Sequence, residues 1–472
     1  MLTNLDKDKV NEQNFKDFDV AVVGAGAAGI TITSQLASLG YNVALIEGGD
    51  YEYTEHSQEI YTAKTVGDPY FDLDVARLRY FGGTTNHWSG WCRTFEEEDF
   101  KRDYLGDEFR WPITKQDIDP FKDKACNILE ISTDFNDSVI ENSKIEKIDF
   151  NFSPPVRFRD KYFEDLTNNQ KVHVFLNANL TDVQYKNKTI TGINLSSYKK
   201  FKATVKAKKY VFAMGGIENS RYLLWFYEKY KDNFIANSPA LGRYWMEHPH
   251  FTLGQAIVDK RKVSEKFYSL SAEAQKDMGI LNCGFRVLEL NDSAMKGLLR
   301  EILCLAPTLG KSLAKLADRN LICGVKFRAA WEQAPHYANK ISLDNKLDKF
   351  GIPRPVLHWQ KKNLDRKTII KSIQVFNQWL LEIDGGRIQL DDWIINEKNY
   401  PTNDELAGYH HMGGTRMHRD PEFGVVDKNC KVYGSDNLYM AGSSVFTTGG
   451  HNNPTLPIVQ LSLRLANHLA GK

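Results

Sequence analysis

The strongest constraint on the fold is Gly24-Ala25-Gly26-Ala27-Ala28-Gly29, a glycine-rich loop set between two apolar stretches near the N-terminus. The run FDVAVVGAG that enters it is almost continuously apolar and β-branched, the pattern of a strand buried on both faces of a parallel sheet. Residues 27–39 then read as a helix, and a second buried strand at residues 42–46 ends in Glu47. Together they form a β-α-β unit of about 30 residues. Gly24 permits the strand-to-helix turn, Gly26 lets the backbone approach a pyrophosphate, and Gly29 lets helix and strand pack closely. Ala28 lies in the same loop beside the expected ligand. Glu47, 18 residues after Gly29, ends a strand where a carboxylate accepts hydrogen bonds from ribose hydroxyls. The unit predicts a bound dinucleotide, with the phosphates at the helix N-terminus. Taken alone, it does not separate FAD from NAD.

At 472 residues the chain has room for two or three lobes. We expect a nucleotide domain over residues 17–244 that includes a flavin loop at 80–95, a substrate domain over 245–400, and a C-terminal part, 401–472, that returns to the first domain. Residues up to about Lys16 look like a disordered arm. The 61 Lys and Arg balance 60 Asp and Glu, so nothing in the charge suggests nucleic acid or an anionic membrane, and a neutral or mildly polar substrate is expected. The 6 cysteines are scattered without CxxC pairs, which argues for reduced thiols and against a structural zinc site, so no metal is expected. No secretory signal pattern opens the chain and no apolar run reaches the roughly 20 residues of a membrane span, so a cytoplasmic enzyme without a transmembrane segment is expected.

Three further segments carry chemistry. YFGGTTNHWSGWCR is too irregular for one regular element and reads as a loop that touches a ligand. Near the C-terminus, HHMGGTRM is followed by NLYMAGSSVF and by NNPTLPIVQLSLRLA, where a helix starts after Pro454. With GAGAAG, Glu47 and the strand-turn VFAMGGIENSRYLL, these segments in this order resemble the glucose-methanol-choline (GMC) oxidoreductase family nearly end to end. The match is looser over about 245–400. Within the family the likeness is to pyranose oxidase, fructose dehydrogenase and the small bacterial sugar or aminoglycoside alcohol dehydrogenases.

The resemblance implies an α/β chain with a Rossmann-like FAD-binding domain and a second α+β substrate-binding domain, the GMC fold, with FAD as cofactor. It places Gly83, Thr84, Asn86, His87 and Ser89 along the flavin. His87 falls where pyranose oxidase joins its histidine to the flavin 8-methyl group. Two readings stay open there, a covalent link or a ring that merely lies against a non-covalently held flavin. Gly442 and Ser443 are implied at the ribityl and pyrophosphate, Leu180 at the adenine, and Pro454 and Thr455 at the flavin ring, where the helix N-terminus favours negative charge.

Alcohol oxidation by hydride transfer needs a base for the hydroxyl proton, and histidine suits that task. The family register puts the base on His410 and its partner on Asn453. His411 and His451 are the neighbouring alternatives, and Asn453 also reads as a helix cap. His248, His250 and His418 read as structural. The implied function is oxidation of a hydroxyl group of a sugar, aminosugar or polyol-like alcohol, with dioxygen, a quinone or a redox carrier as electron acceptor. A non-redox lyase or decarboxylase on the same fold is the alternative, as is a flavoprotein subunit of a carrier-linked dehydrogenase complex. The basic amphipathic segment 295–319 reads as an ordinary helix pair or as a docking surface for a small partner or membrane.

Overall fold

A computed structural model describes residues 1–8, 13–231, 234–259, 262–264, 266–289, 321–396 and 398–472. The basic segment 295–319 lies outside the described residues.

The first lobe is built on one sheet of β1 (Leu2–Asn4), β2 (Gln13–Val23), β3 (Val43–Ile46), β4 (Val172–Leu176), β5 (Asn179–Lys186), β6 (Thr189–Ser196) and β7 (Lys202–Phe212). The strand order is β1-β4-β3-β2-β7-β6-β5. Pairing is parallel from β1 to β7 and antiparallel through β6 and β5. Val20, Ala21, Val22 and Val23 are all buried, as a central strand covered on both faces requires. Two helices serve the loops at the carboxyl ends of these strands: α1 (Ala27–Ser38) after β2 and α2 (Gly215–Tyr230) after β7. The arm expected to be disordered instead supplies β1 as an edge strand, and β2 already begins at Gln13. The Met1 nitrogen donates to the carbonyls of Thr167 and Val172 at 2.8 Å each, and Leu5 is fully buried, so local polarity is overridden by pairing with β4.

The second sheet contains β8 (His250–Asp259), β9 (Phe267–Leu270), β10 (Cys283–Glu289), β11 (Leu321–Trp331) and β12 (Gly386–Leu390), in the order β12-β8-β11-β10-β9. It is extended past β9 by Ile145–Ile148 and Ser138–Val139, so a piece of chain inside the 17–244 span belongs to this sheet. Strand residues alternate between faces. Phe285, Val287, Val325, Phe327 and Ala329 are buried, with Phe285 and Phe327 packed on Phe376 of α3 (Asn363–Glu382) at ring separations of 5.2 and 5.0 Å. Gly284 and Arg286 of β10, with Arg328 and Ala330 of β11, turn to the opposite face, toward the first lobe. Residues 340–359, expected with this domain, form a separate small sheet with Lys64–Gly67. The chain then returns to the first sheet through β13 (Leu438–Met440), which pairs in parallel with β7, and ends in α4 (Thr455–Leu469), packed on α1.

Candidate active site

A cavity of about 790 Å³ lies between the two sheets, well within the size range of small-molecule and cofactor sites. Its inner end is the glycine loop. A Cβ at Gly29 would sit 1.8 Å from the Gly24 carbonyl oxygen, so helix and strand pack here only without a side chain. A Cβ at Gly26 would meet nothing within 4 Å, because this backbone faces the cavity at the start of α1, where unpaired N–H groups and the helix dipole favour an anion. Glu47 is buried, with one carboxylate oxygen accepting from Ala25 N–H at 3.0 Å and the other from Gly49 N–H at 2.9 Å. It lines the same cavity and keeps lone pairs free for ribose hydroxyls, since a carboxylate has about four acceptor sites. An elongated dinucleotide fits this cradle: the backbone approaches at Gly26, a carboxylate stands at the strand end, and the first turn of α4 reaches the same cavity through Pro454 and Thr455 with no side-chain cap.

The loop after Gly82 lies across this cradle. Gly82 N–H donates to the Ala25 carbonyl at 2.8 Å, and Gly83 comes so close to the glycine loop that its Cβ would be 3.1 Å from the Gly26 Cα. Gly83, Thr84, His87 and Ser89 line the cavity, as do Gly24, Gly26, Ala28, Gly442 and Ser443. The His87 ring is exposed there. Two expected contacts fall elsewhere. Asn86 points its amide back to the Phe81 carbonyl at 2.8 Å and braces the loop from behind. Leu180 is buried in the pairing of β5 with β6, and its carbonyl accepts from the Tyr222 hydroxyl at 3.0 Å, so it is off the cavity wall. Gly29 likewise acts by packing.

Opposite the loop, residues 244–250 run antiparallel to residues 406–412, joined at Met246 and Met412. This pairing brings His248 against His410, with the two Nδ1 atoms 2.8 Å apart, while His248 Nε2 lies 2.6 Å from the Gly450 carbonyl oxygen. A carbonyl only accepts, so His248 Nε2 carries the proton. Burial, followed by the charge of His250, pushes His248 down to about 3, so it is neutral and its Nδ1 must accept. His410 therefore donates from Nδ1. Burial, with His248, His250 and His411 nearby, holds it well below the ordinary histidine range, which leaves its Nε2 unprotonated. That nitrogen faces the Asn453 amide at 3.4 Å, and both residues line the cavity. His411 turns away, its Nε2 3.0 Å from the Tyr70 hydroxyl, and burial pushes it down to about 3.

Glu247 fixes the backbone of the pair. It is fully buried and accepts from the N–H groups of His248 and His410 at 2.6 and 2.8 Å and from the Tyr70 hydroxyl at 2.8 Å. Burial raises it to about 7 against the pull of those donors. Sequence reasoning treated His248 as structural and passed over Glu247. The only linear signal was the clustering of EHPH just before a strand. His451 is buried and lines the cavity with neither ring nitrogen hydrogen-bonded. His418 donates from Nε2 to the Asp107 carbonyl at 3.1 Å and accepts at Nδ1 from the Asp420 N–H at 3.0 Å, away from the cavity. Among the described residues no cluster of His, Cys, Asp and Glu is arranged to hold a metal ion, and no helix is long and apolar enough to cross a membrane.

Residues 335–462 match the family model described as GMC oxidoreductase, and residues 18–224 match that of pyridine nucleotide-disulphide oxidoreductase. The chain is 23% identical over 540 aligned positions to 2-methyl-1,2-propanediol dehydrogenase of Mycolicibacterium austroafricanum, covering 96% of this chain and 95% of that one. It is 28% identical over 290 residues to the fructose dehydrogenase large subunit of Gluconobacter japonicus, but this covers 59% of the chain and only 50% of that subunit. In fold it is similar to pyridoxine 4-oxidase from Mesorbium loti, with a TM-score of 0.59 at 12% identity over 97% of this chain and 100% of the other.

Proposed function

From the premise that this chain belongs to the GMC oxidoreductases, FAD enzymes that act on alcohols, we propose that it oxidises a hydroxyl group of a sugar, aminosugar or polyol-like alcohol with His410 as base. Bound FAD supplies the hydride acceptor. Everything else is done by the chain. The substrate hydroxyl enters between His410 Nε2 and the Asn453 amide, whose 3.4 Å separation is long enough for a better donor to take over the lone pair. Its proton passes to Nε2 as the carbon gives up hydride, so the product leaves as a carbonyl compound. The imidazolium that forms keeps its Nδ1–H on His248, which stays neutral and oriented by the Gly450 carbonyl. Asn453 can hydrogen-bond the substrate oxygen without competing for its proton.

The observation that carries this reading is the unprotonated Nε2 of His410, met only by the Asn453 amide at 3.4 Å, in the same cavity as the glycine cradle. The test is anaerobic mixing of the FAD-loaded enzyme with a panel of alcohols, sugars and aminosugars. Bleaching of the flavin by at least one is expected, and none doing so would overturn the proposal. Reoxidation of the bleached enzyme by dioxygen or by quinones then sorts oxidase from dehydrogenase. Acid precipitation of the same preparation decides the His87 question: colour in the pellet means a covalent bond, and colour in the supernatant means none.

A further inference from the structure

The wall of the cavity formed by β10 and β11 carries two arginines that the fold pairs unevenly. Arg286 and Arg328 stand directly opposite each other across the two strands, and both line the cavity. Like charges in that position repel and destabilise a sheet. Arg328 is compensated by Glu405 at 2.6 Å, with Asp404 at 3.5 Å. Asp404 spends its oxygens on the backbone N–H groups of Thr252 and Glu405, at 2.6 and 2.8 Å. Arg286 has no ion pair or hydrogen bond among the described residues. Its guanidinium lies instead over the rings of Trp91 and Phe267, 4.7 and 5.5 Å from their centroids, which holds the planar fork in place without occupying its donors. Both nearby carboxylates, Glu405 and Asp404, are thus engaged by Arg328, and Arg286 is left without a carboxylate partner of its own. Burial and the facing Arg328 hold Arg286 below its ordinary basicity despite Glu405, a cost that a bound anion would relieve.

Position along the strands sets the distance from the chemistry. His250, Gly284 and Ala330 form the row beside the histidines: His250 and His410 have ring centroids 6.3 Å apart, and a Cβ at Gly284 would lie 3.2 Å from the His451 ring. The arginine pair is the next row on the same face, two residues farther out, or about 7 Å.

We propose that Arg286, supported by Arg328, is an anion subsite, and that the substrate is an acidic hydroxy compound: a sugar- or polyol-sized alcohol with a carboxylate or phosphate at the end remote from the oxidised hydroxyl. This rests on the proposed alcohol oxidation and narrows it, because an aminosugar would bring a cation to a guanidinium that has no carboxylate partner. A guanidinium fork matches either anion.

The experiment compares glucitol, gluconate and glucitol monophosphate on the FAD-loaded enzyme. One acidic member is expected to exceed glucitol in kcat/KM by about 10- to 100-fold, mostly through KM, as a charged hydrogen bond gives, and the better of the two identifies the anion. In Arg286→Gln the ratio of acidic to neutral substrate falls toward unity. Binding of the same three compounds, followed as perturbation of the flavin absorbance without turnover, separates this inference from the oxidation it rests on. Saturable anion binding that Arg286→Gln loses supports the subsite even where no compound is oxidised. Ratios near unity in the unaltered enzyme, ratios the substitution leaves unmoved, or no anion binding at all would overturn it.

Discussion

The floor and the wall of one cavity solve opposite problems. On the floor, His248 and His410 are buried, neutral and directed: each proton has a defined acceptor, and the one remaining lone pair meets only the long 3.4 Å contact to the Asn453 amide. On the wall, Arg286 is charged, open to the cavity and short of partners. A base must have its protons placed before substrate arrives, so the fold satisfies every position but one. A recognition group, as proposed for Arg286, works by being unsatisfied until the ligand pairs it, and here Asp404 and Glu405 are both engaged by Arg328.

The largest expected effect breaks the floor. His410→Ala should keep flavin yet slow its reduction by about 10²- to 10⁴-fold, measured by anaerobic stopped flow; an unimpaired reductive step would remove His410 from the chemistry. A smaller loss, on the order of 10²-fold, is expected for His248→Leu, which deprives the His410 Nδ1–H of its acceptor and frees the ring to adopt the wrong tautomer. His248→Asn restores an acceptor oxygen and should recover much of the rate. Equal rates in the two variants would make the contact mere packing.

The pH profile sharpens the same contrast. Because burial lowers His410 below the ordinary histidine value of 6.5, its base form persists down through neutrality. Rates of flavin reduction should therefore stay level as pH falls to 6.5 and decline only below it, as His410 takes a proton. An acid limb centred above 6.5 would mean that a different group is the base. The smallest effect belongs to the wall, where Arg286 is open to solvent. Raising ionic strength to about 0.15 M shortens the screening length to about 8 Å, so it should trim the preference for an acidic substrate a few-fold while leaving the rate of flavin reduction at saturation unchanged. A preference indifferent to salt would argue against a charge-based subsite.

Much of this was legible in the linear chain. The β-α-β unit was readable because strand, turn, helix and Glu47 are neighbours in sequence, and each obeys a local rule of periodicity or glycine geometry. HHMG and NNPTL were readable as a pair only through resemblance. Leu180 was expected at the adenine; it lies in β5, buried, with its carbonyl accepting from the Tyr222 hydroxyl. The arm looked disordered because its composition is polar, yet Leu5 and the β1 pairing hold it to β4. The near-zero net charge suggested a neutral substrate, but a sum over 472 residues says nothing about which two guanidiniums end up on one wall.

The sequence by itself determined a dinucleotide-binding lobe, since this depends on residue type and near neighbours, and through its resemblance it pointed to a flavin loop and to the histidine proposed as base. Only the tertiary structure decided which nitrogen of that histidine is unprotonated and which charged groups line the cavity. The first depends on His248, 162 residues from His410, and on the Gly450 carbonyl, 202 residues from His248. The second depends on the register of β10 with β11. Proton placement and local charge balance are properties of groups within a few ångströms of one another, and chain separation carries no information about that distance.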